Sequence, residues 1–500
     1  MNNNKVTSIH AKDNASRKTT AVAQFLTGST APKRTGEKGV NAILPPRMAK
    51  RVIDEEKLIR VSDISNSKMN FYKFKDGIYQ PVRDTEIKSC FHRYISEYNP
   101  DYLMSKTINE AFKLVTTDPD IKQITVDEFN SDKRYICFEN GLLRLEDMKL
   151  LPHTPDVYYT VKVRCDWKED PVATPVFDGY LDKLTSNDKG VQDLLWEFLG
   201  LTISNFPGYY TKQAVFLYGP GNTGKSKLFE LLRLLLGEET CCSKNLKQLE
   251  GRFGASELFG KRVAGNGDMT MKTSIPDLNI FKQLTGGDIL SSEKKFCDSF
   301  NFKYKGTLLF CMNDLVSFGG DRGDWVYNRI IPVSCNNPIP DEEQDVRLLE
   351  KFQAELEGIV QKAVPALFRL VDRDFKYDEP EIIKINRATY KRNNDPVASF
   401  VNECFVTYDS DDAFRICKGD KPVRIKVSDI YATFKNWCRD NTTIKTPLVS
   451  EFRRTLTDIT GADEYNDLTS RTGKDGIFYI DYTIRQEVFE TYGPVKTYRC

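Results

Sequence analysis

The most constraining feature of this sequence is the segment GPGNTGKS at residues 219–226, which lies between two largely apolar stretches. The preceding run AVFLY has the character of a buried strand, and the following run KLFELLRLLLGE has that of an amphipathic helix. Glycines allow successive backbone N–H groups to face one anion, and the helix N-terminus adds the positive end of its dipole. A strand, a glycine-rich turn and a helix in this order predict an α/β domain with a phosphate-binding loop.

The phosphate-binding loop predicts a site for a nucleoside triphosphate, with ATP and Mg²⁺ as cofactors. Lys225 is expected to reach the β- and γ-phosphates, and the Ser226 hydroxyl is expected to ligate the metal ion. A glycine-rich surface turn with a solvated lysine is the alternative interpretation. The whole loop is expected to contact the nucleotide: Gly219, Pro220, Gly221, Asn222, Thr223, Gly224, Lys225 and Ser226.

The composition is that of a globular protein without a membrane span. The 500 residues suggest about three domains, and the hydrophobic and charged shares of 40% and 29% are ordinary for soluble proteins. No run reaches the roughly 18 apolar residues that a span needs, and the N-terminus lacks the apolar segment of a secretory signal. Twelve cysteines without a C-x-x-C pair, and three distant histidines, predict reduced thiols in the cytoplasm and no zinc site.

Charge is nearly balanced along the chain, at 72 basic against 71 acidic residues and a net charge of +1. No global positive field therefore points to a nucleic-acid partner. Residues 1–50 are locally basic, because Asp13 and Glu37 are their only acidic residues, and they are rich in Asn, Ser, Thr and Gly. We expect residues 1–65 to form a basic, largely disordered arm that either touches phosphates or is a solvated tail.

Residues 66–205 are expected to form an α+β domain ahead of the loop. Short β-like runs alternate with helical stretches such as TEIKSCFHRYISEY, and the turn signals Asp76-Gly77 and Asn140-Gly141 predict tight reversals. The segment 187–205 places apolar residues at helical spacing. Packing against the strand before the loop explains this spacing better than a binding surface does.

Two polar residues follow predicted strands of the loop domain, for which the expected bounds are 206–394. Asp268 follows a short apolar run and is the candidate acid that holds Mg²⁺ through water, with a turn aspartate as the alternative. Asn313 follows the clean buried strand TLLFCM, where an amide can orient the attacking water and sense the γ-phosphate. A polar cap at the strand end is the alternative for Asn313.

The segment between these two strands has a hairpin pattern with Lys294 and Lys295 at its bend. A lysine-tipped hairpin that projects into a ring channel could grip the phosphates of a single strand, whereas solubility or edge protection is the competing explanation. Farther along, Arg322 and Arg329 lie near the apolar run IIPV. An arginine here could reach the γ-phosphate of a neighbouring subunit.

The order of these motifs resembles that of the superfamily 3 helicases, which are AAA+ ring motors. The resemblance is carried by the loop, GKRVAGNGD, LTGGD with EKKF, LLFCMND and the W-x-x-x-R-I-I-P-V run. More narrowly, the chain resembles the phage and plasmid primase–helicase family, because ENGLLRLEDMKLLPHTP is similar to the stretch that precedes the motor of that family. Within the family it is similar to the replication-initiator helicases of staphylococcal pathogenicity islands and related phage satellites.

The resemblance implies ATP-driven DNA unwinding by a hexameric ring, with 3′ to 5′ polarity, in the cytoplasm of a bacterial host. It assigns roles by position: Asp268 is the Walker B acid, Asn313 is sensor 1, Lys294 or Lys295 is the channel lysine, and Arg329 is the arginine finger. Two departures leave roles open. Met269 follows Asp268, so the general base is unassigned. Asn328 precedes Arg329 where adjacent arginines are usual, so Arg322 is a rival for the finger.

Larger relatives carry a primase domain built on paired metal-binding aspartates and a histidine. Asp118-Pro119-Asp120 has the aspartate spacing, but its central proline and polar surroundings favour a turn. We therefore interpret the chain as a helicase that has no primase.

Residues 395–500 predict a winged-helix-like domain. Two amphipathic stretches, SDIYATFKNWCRDN and TPLVSEFRRTLTDI, are followed by the β-like run GIFYIDY. Residues 450–457, with Arg453 and Arg454, are the predicted face for recognition of a replication origin. Because the region is not net basic, a winged helix for protein contact or a small α/β cap is the alternative.

The sequence thus predicts an α/β protein with an AAA+ P-loop motor between an α+β domain and a winged-helix-like domain. Its leading functional interpretation is an ATP-dependent DNA helicase and replication initiator that binds single- and double-stranded DNA. An ATP-controlled origin-binding switch without unwinding activity is the alternative. A packaging or transport ATPase would lack the lysine hairpin between the two predicted strands.

Overall fold

The computed structural model of the chain shows three successive folded regions. Over the part of the chain that is described, no helix is long and apolar enough to cross a membrane. The described residues are 43–62, 71–98, 100–251, 253–269, 278–292, 300–316, 318, 324–418, 421–442, 446–466, 477–479 and 481–494.

The first region packs helices against two small sheets. Its elements are, in chain order, α1 (Pro45–Glu55), β1 (Ile59–Val61), β2 (Phe71–Lys75), β3 (Ile78–Pro81), α2 (Asp84–Tyr98), α3 (Ser105–Thr117), β4 (Lys122–Ile124), β5 (Tyr135–Phe138), β6 (Gly141–Arg144) and β7 (Lys149–Leu151). One sheet has the order β3-β2-β1-β4, and the other has the order β5-β6-β7. Met48 and Val52 of α1 are buried in one core with Phe91 of α2. The predicted end of the arm at residue 65 is therefore wrong, because the segment 43–62 contributes to this core.

The reversals predicted in the first region are present. Strands β2 and β3 are antiparallel across Asp76-Gly77, whose φ angles are 51° and 85°. Strands β5 and β6 are antiparallel across Asn140-Gly141. The 118–120 segment forms the predicted turn, in which the N–H of Asp120 donates to the side chain of Asp118 at 2.8 Å.

The second region is built on a five-stranded parallel sheet. Its elements are α4 (Pro175–Leu184), α5 (Lys189–Ile203), β8 (Ala214–Tyr218), α6 (Lys225–Leu236), β9 (Cys241–Ser243), α7 (Leu246–Leu249), β10 (Val263–Met269), α8 (Asn279–Gly286), β11 (Ile289–Ser292), β12 (Phe300–Lys303), β13 (Thr307–Met312), α9 (Asp324–Asn328), β14 (Ile330–Ser334), α10 (Leu348–Asp372) and α11 (Glu381–Asn393). The sheet has the order β14-β8-β13-β10-β9, and all neighbouring strands are parallel. The carboxyl ends of the five strands therefore share one edge, and β13 separates β8 from β10.

Strand β10 runs through glycines that have weak strand propensity. Gly265 has a φ of 147°, and a Cβ atom there would lie 1.6 Å from the carbonyl oxygen of Leu309 on β13. The two backbones therefore approach too closely for any side chain at position 265. The close pairing of β10 with β13 explains why a glycine-rich segment is a strand here.

The buried guanidinium of Arg262 fastens this sheet to α5. It donates to the main-chain oxygens of Leu201 at 2.6 Å, Thr202 at 2.9 Å, Phe206 at 2.8 Å and Lys305 at 2.6 Å. The last carbonyl groups of α5 thus bind a cation, and a cation at this end stabilises a helix. Burial lowers the pKa of Arg262 to about 10. Helix α5 is buried in one core with Val215 and Leu217 of β8, the strand before the loop, and with α10, so the predicted packing role of 187–205 is confirmed.

The third region follows the expected order of two helices and a strand pair. Its elements are α12 (Pro396–Cys404), β15 (Phe405–Thr407), β16 (Ile416–Lys418), β17 (Lys421–Val423), α13 (Val427–Asn441), α14 (Val449–Thr460), β18 (Glu464–Asn466), β19 (Ile477–Tyr479), β20 (Tyr482–Ile484) and α15 (Gln486–Tyr492). Asp395 caps α12 by accepting the N–H groups of Val397 at 2.9 Å and Ala398 at 3.2 Å. Strands β18 and β19 are antiparallel and follow α14.

Candidate nucleotide-binding site

The loop that leaves β8 has a backbone conformation that few side chains adopt. Gly219, Asn222 and Gly224 have φ angles of 142°, 60° and 85°. A Cβ atom on Gly219 would lie 2.2 Å from the carbonyl oxygen of Cys335, just beyond β14, so this position requires glycine. Consecutive residues that alternate between left- and right-handed conformations form the backbone nests that bind anions. The loop therefore has the backbone geometry that its sequence predicts.

Lys225 is the first residue of α6 and lies over the loop. Its side chain is buried, and Nζ donates to the carbonyl oxygens of Gly219 at 2.9 Å and Pro220 at 2.5 Å and to Oγ1 of Thr223 at 3.0 Å. These neutral oxygens are weaker acceptors for an ammonium group than phosphate oxygens are. An anion bound at the loop would therefore replace these oxygens as the hydrogen-bond partner of Lys225.

The carboxyl ends of three strands meet around Ser226. A Cβ atom on Gly267 of β10 would lie 3.2 Å from the Cβ atom of Ser226. Strand β10 continues through Asp268, so its main chain lies beside the serine, although the Asp268 side chain is outside the described residues. Asn313 follows β13 and has an exposed side chain, and its main-chain carbonyl oxygen accepts the N–H of Gly219 at 3.1 Å. The fold thus gathers sequence positions that lie far apart.

A cavity of about 580 Å³ opens above this edge of the sheet. The loop, Gly267 and Asn313 line part of it. The other lining residues were missed by sequence reasoning: Ile339, Gln344, Asp345, Val346 and Leu348. The N–H of Ile339 donates to the carbonyl oxygen of Asn222 at 2.8 Å, which holds this segment against the loop. A polar segment such as PDEEQD carries no sequence signal for a binding site, because it lines the cavity only after the chain has folded back against the loop.

Two further residues support the loop from beneath and were also missed. The Tyr180 hydroxyl of α4 donates to the carbonyl oxygen of Gly224 at 3.1 Å. The carboxylate of Glu355 on α10 accepts the N–H groups of Val176 at 2.9 Å and Phe177 at 2.8 Å, in the first turn of α4. A carboxylate at this position favours the helix N-terminus. Helices before and after the sheet therefore fix the loop together.

The chemistry of this edge fits a nucleoside triphosphate with Mg²⁺. Lys225, Ser226 and the N-terminus of α6 line one cavity, which suits phosphate groups. Among the described residues, no group of three or more His, Cys, Asp or Glu side chains could hold a metal ion. Magnesium sites beside nucleotides commonly use one or two protein ligands together with phosphate oxygens and water. Ser226 and the predicted acid Asp268 would suffice as protein ligands.

Arg329 lies at the opposite edge of the sheet from the loop. It precedes β14, whose first residue pairs with the first residue of β8. The five residues of β14 span about 16 Å at 3.3 Å per residue. Arg329 is half-buried, and burial lowers the pKa of its guanidinium although Asp288 acts to raise it. Arg322, Lys294 and Lys295 lie outside the described residues.

The two predicted recognition arginines of α14 have different surroundings. Arg453 forms a two-point ion pair with Glu464 of β18, in which Nε lies 2.8 Å from Oε1 and the second contact joins Nη2 to Oε2. This hydrogen-bonded carboxylate raises the pKa of Arg453. Arg454 is exposed to solvent. Arg453 thus fastens α14 to the strand pair, whereas Arg454 lies at the surface.

Three families match successive parts of the chain. The family described as D5 N terminal like matches residues 47–186, and the family described as poxvirus D5 protein-like matches residues 392–483. Between them, residues 217–329 match a family of unknown function, DUF5906. This middle match begins in β8 and ends at Arg329. It therefore contains the loop and the three neighbouring strands β13, β10 and β9 of the sheet.

Individual relatives are distant. A protein named as a helicase from Acanthamoeba polyphaga mimivirus is 23% identical over 344 residues, which cover 64% of this chain and 34% of that protein. The chain thus spans about a third of the length of that relative. Two apo structures of the NrS-1 C terminal region match 87% and 69% of this chain and 98% and 75% of theirs. Their identities are 12% and 13%, and their TM-scores are 0.44 and 0.46.

The two D5-type families and the helicase-named relative agree in kind. The two D5-type matches lie on either side of the loop region, and the mimivirus relative carries the name of a helicase.

Proposed function

We propose that this chain is an ATP-dependent ring DNA helicase and replication initiator of the superfamily 3 AAA+ type. It serves a phage-like mobile element of the satellite type in the bacterial cytoplasm and opens duplex DNA by moving 3′ to 5′ along one strand as a homohexamer. The carrying observation is that Lys225, Ser226 and Asn313 converge around one cavity of about 580 Å³. The helicase-named relative and the D5-type families favour DNA as the substrate.

The strand order favours a motor that senses its nucleotide. In the order β14-β8-β13-β10-β9, one strand separates the loop strand from the strand of the predicted acid. That intervening strand, β13, delivers Asn313 to the same edge as Ser226 and residue 268. An amide at this position can hold the water that attacks the γ-phosphate and can report its loss to the sheet.

Each residue at the cavity has a distinct task in phosphoryl transfer. Lys225 exchanges the carbonyl oxygens of Gly219 and Pro220 for phosphate oxygens and neutralises their charge. Ser226 and Asp268 would hold Mg²⁺. The N-terminus of α6 stabilises the negative charge that develops on the γ-phosphate. The Mg²⁺ ion supplies further neutralisation when it is bound.

Arg329 completes the site of a neighbouring subunit. It lies about 16 Å from the edge that carries its own loop, so it cannot complete the site of its own chain. In a ring, the amino edge of one sheet faces the nucleotide of the next subunit. An arginine finger supplied in this way is worth roughly 10³ to 10⁵ in turnover. Hydrolysis therefore depends on assembly.

The proposal is tested by unwinding of a forked DNA duplex with ATP and Mg²⁺. Lys225→Ala and Arg329→Ala should both abolish strand separation, whereas Lys106→Ala, at an exposed lysine of α3, should leave it intact. Mixtures of wild-type and Arg329→Ala subunits should lose activity more steeply than their fraction predicts if the arginine acts in trans. ATP hydrolysis without strand separation on forks with either a 3′ or a 5′ tail would overturn the helicase function.

The alternative is an ATP-controlled origin-binding switch without unwinding activity. The observation in its favour is that Arg329 bonds to its own chain, at Thr285 and Lys282. A switch needs the nucleotide to change its assembly on DNA and has no need of fast turnover. DNA-stimulated hydrolysis separates the two functions, because only the motor requires it.

A further inference from the structure

Arg329 is held within its own chain by neutral groups. Its Nη1 atom donates to Oγ1 of Thr285 at 2.6 Å and to the carbonyl oxygen of Lys282 at 3.2 Å. The guanidinium carbon lies 5.6 Å from the centre of the Trp325 ring, within range of a cation–π contact. Among the described residues, no carboxylate lies within salt-bridge distance of Arg329, although Asp288 is close enough to act on the pKa of its guanidinium. The hydrogen bonds that position the arginine are therefore those to Thr285 and Lys282.

The groups that hold Arg329 belong to the helix that leads into the lysine hairpin. Thr285 is in the last turn of α8, and β11 begins four residues later, at Ile289. Between them, Gly287 has a φ of 74°, and a Cβ atom there would lie 2.6 Å from the Tyr209 ring. The connection is therefore short and tightly packed. A displacement of Thr285 moves the root of the hairpin, where Ile289 pairs with Lys303.

Trp325 joins the two parts of this arrangement. It precedes Arg329 by one helical turn, through α9. The Nζ atom of Lys282 lies 5.0 Å from the centre of the same ring that faces Arg329. One indole ring thus makes cation–π contacts with a lysine of α8 and with the arginine that precedes β14. Separation of Arg329 from Thr285 would also disturb the contact between Trp325 and Lys282.

We propose that Thr285 and Trp325 are positioning residues for Arg329 and form a dock that couples the nucleotide of the neighbouring subunit to the hairpin. The inference rests on the proposed function. A hydroxyl and a carbonyl group bind a guanidinium less strongly than phosphate oxygens do. A triphosphate in the neighbouring site therefore draws Arg329 out of the dock and releases α8 and the hairpin root. By reciprocity of binding, a strand that displaces the hairpin frees Arg329 for the neighbouring site.

The test compares ATP hydrolysis with and without single-stranded DNA in assembled protein. Thr285→Val removes the acceptor and nearly keeps the volume, so hydrolysis without DNA should rise several-fold and the stimulation by DNA should fall towards one. The matched control is Thr240→Val, at a buried threonine whose hydroxyl donates to the carbonyl oxygens of Leu236 and Gly237, both at 2.9 Å. Thr240→Val should keep the wild-type stimulation by DNA.

The outcomes separate the dock from the function on which it rests. Stimulation by DNA that is equal in Thr285→Val, Thr240→Val and wild type overturns the dock alone. If Arg329→Ala hydrolyses ATP at the same rate as wild type, both the motor and the dock are overturned. Trp325→Leu is the second variant, measured if Thr285→Val shows a lower melting temperature than Thr240→Val. It should also raise hydrolysis without DNA, and an unchanged ratio in this variant contradicts the dock.

Discussion

The hydroxyl group of Tyr180 donates a hydrogen bond to the carbonyl oxygen of Gly224 at 3.1 Å and so joins helix α4 to the last residue of the phosphate-binding turn. The ring also lies 3.2 Å from the position that a Cβ atom on Gly224 would occupy. Because α4 is capped by Glu355 of α10, the loop depends on residues more than a hundred positions apart. The binding site is therefore shaped by the packing of α4 and α10.

Tyr180→Phe should weaken nucleotide binding without unfolding the protein. A net hydrogen bond is worth about 0.5–1.5 kcal/mol, so we expect a loss of affinity of roughly two- to tenfold. Titration with a fluorescent ATP analogue measures this change. Tyr431→Phe is the matched control, since that hydroxyl donates to the carbonyl oxygen of Pro447 at 2.6 Å in the third region. Equal affinity in wild type and Tyr180→Phe would show that the hydrogen bond does not support the loop.

Arg262→Met should destabilise the second region strongly. The substitution keeps much of the buried volume but removes the guanidinium donor from four main-chain oxygens. The oxygens of Leu201 and Lys305 keep a donor in Ser204 and Gly208, whereas those of Thr202 and Phe206 lose the guanidinium that binds them. An unsatisfied buried polar group costs about 1–3 kcal/mol, so we expect the first unfolding transition to lose about 3–5 kcal/mol. Chemical denaturation followed by tryptophan fluorescence measures this loss. The matched control is Arg233→Met on α6, at a partly exposed arginine, and a similar midpoint in both variants would contradict the role of Arg262.

Arg453 and Arg454 should separate structural from DNA-binding effects in α14. Arg454→Ala should weaken DNA binding about equally for all sequences and reduce the slope of log K against log salt by about 0.9, because one phosphate contact is lost. Arg453→Ala should leave that slope unchanged and lower the melting temperature, because Glu464 loses its partner. Salt titrations of DNA binding by fluorescence anisotropy distinguish the two. Equal slopes in wild type and Arg454→Ala would remove α14 from the DNA interface.

Stability should depend on pH through Glu379, which joins α11 to the start of β8. Its carboxylate accepts from Arg387 at 2.5 and 2.6 Å and from Gln213 at 2.7 Å. Burial raises the pKa of Glu379, but these hydrogen bonds outweigh it and hold the pKa below its usual 4.5. The stabilisation is therefore complete above the pKa of the unfolded chain and is lost as pH falls through the lower pKa of the folded state.

Glu379→Gln should accordingly be less stable than wild type at pH 6, and the difference should shrink towards pH 3. Melting temperatures across this range measure the effect. Glu381→Gln, at an exposed residue in the first turn of α11, is the control and should show no such convergence. A constant gap between Glu379→Gln and wild type at every pH would assign the loss to packing and not to charge.

The local features of this protein follow from short stretches of its sequence. The run 214–226 specifies a strand, a turn and a helix, because its apolar residues and glycines act through neighbouring backbone atoms. The reversals at Asp76-Gly77 and Asn140-Gly141 and the turn at 118–120 were predicted for the same reason. The hydrophobic spacing of 187–205 predicted a packed helix, which the structure contains as α5. Local backbone preference and periodicity were sufficient in each case.

Which distant residues share a site depends instead on how the folded elements pack together. The glycines of β10 have weak strand propensity, and this segment is a strand because Gly265 lies against the backbone of β13. The arm was predicted to extend too far, because the helix at 45–55 gains its stability from the core that it shares with α2. Three contacts depend on how separate elements pack: Tyr180 with the loop, Ile339 with the loop, and Thr285 with Arg329. Such contacts leave no periodic trace in the sequence, since their free energy arises only when the chain has folded.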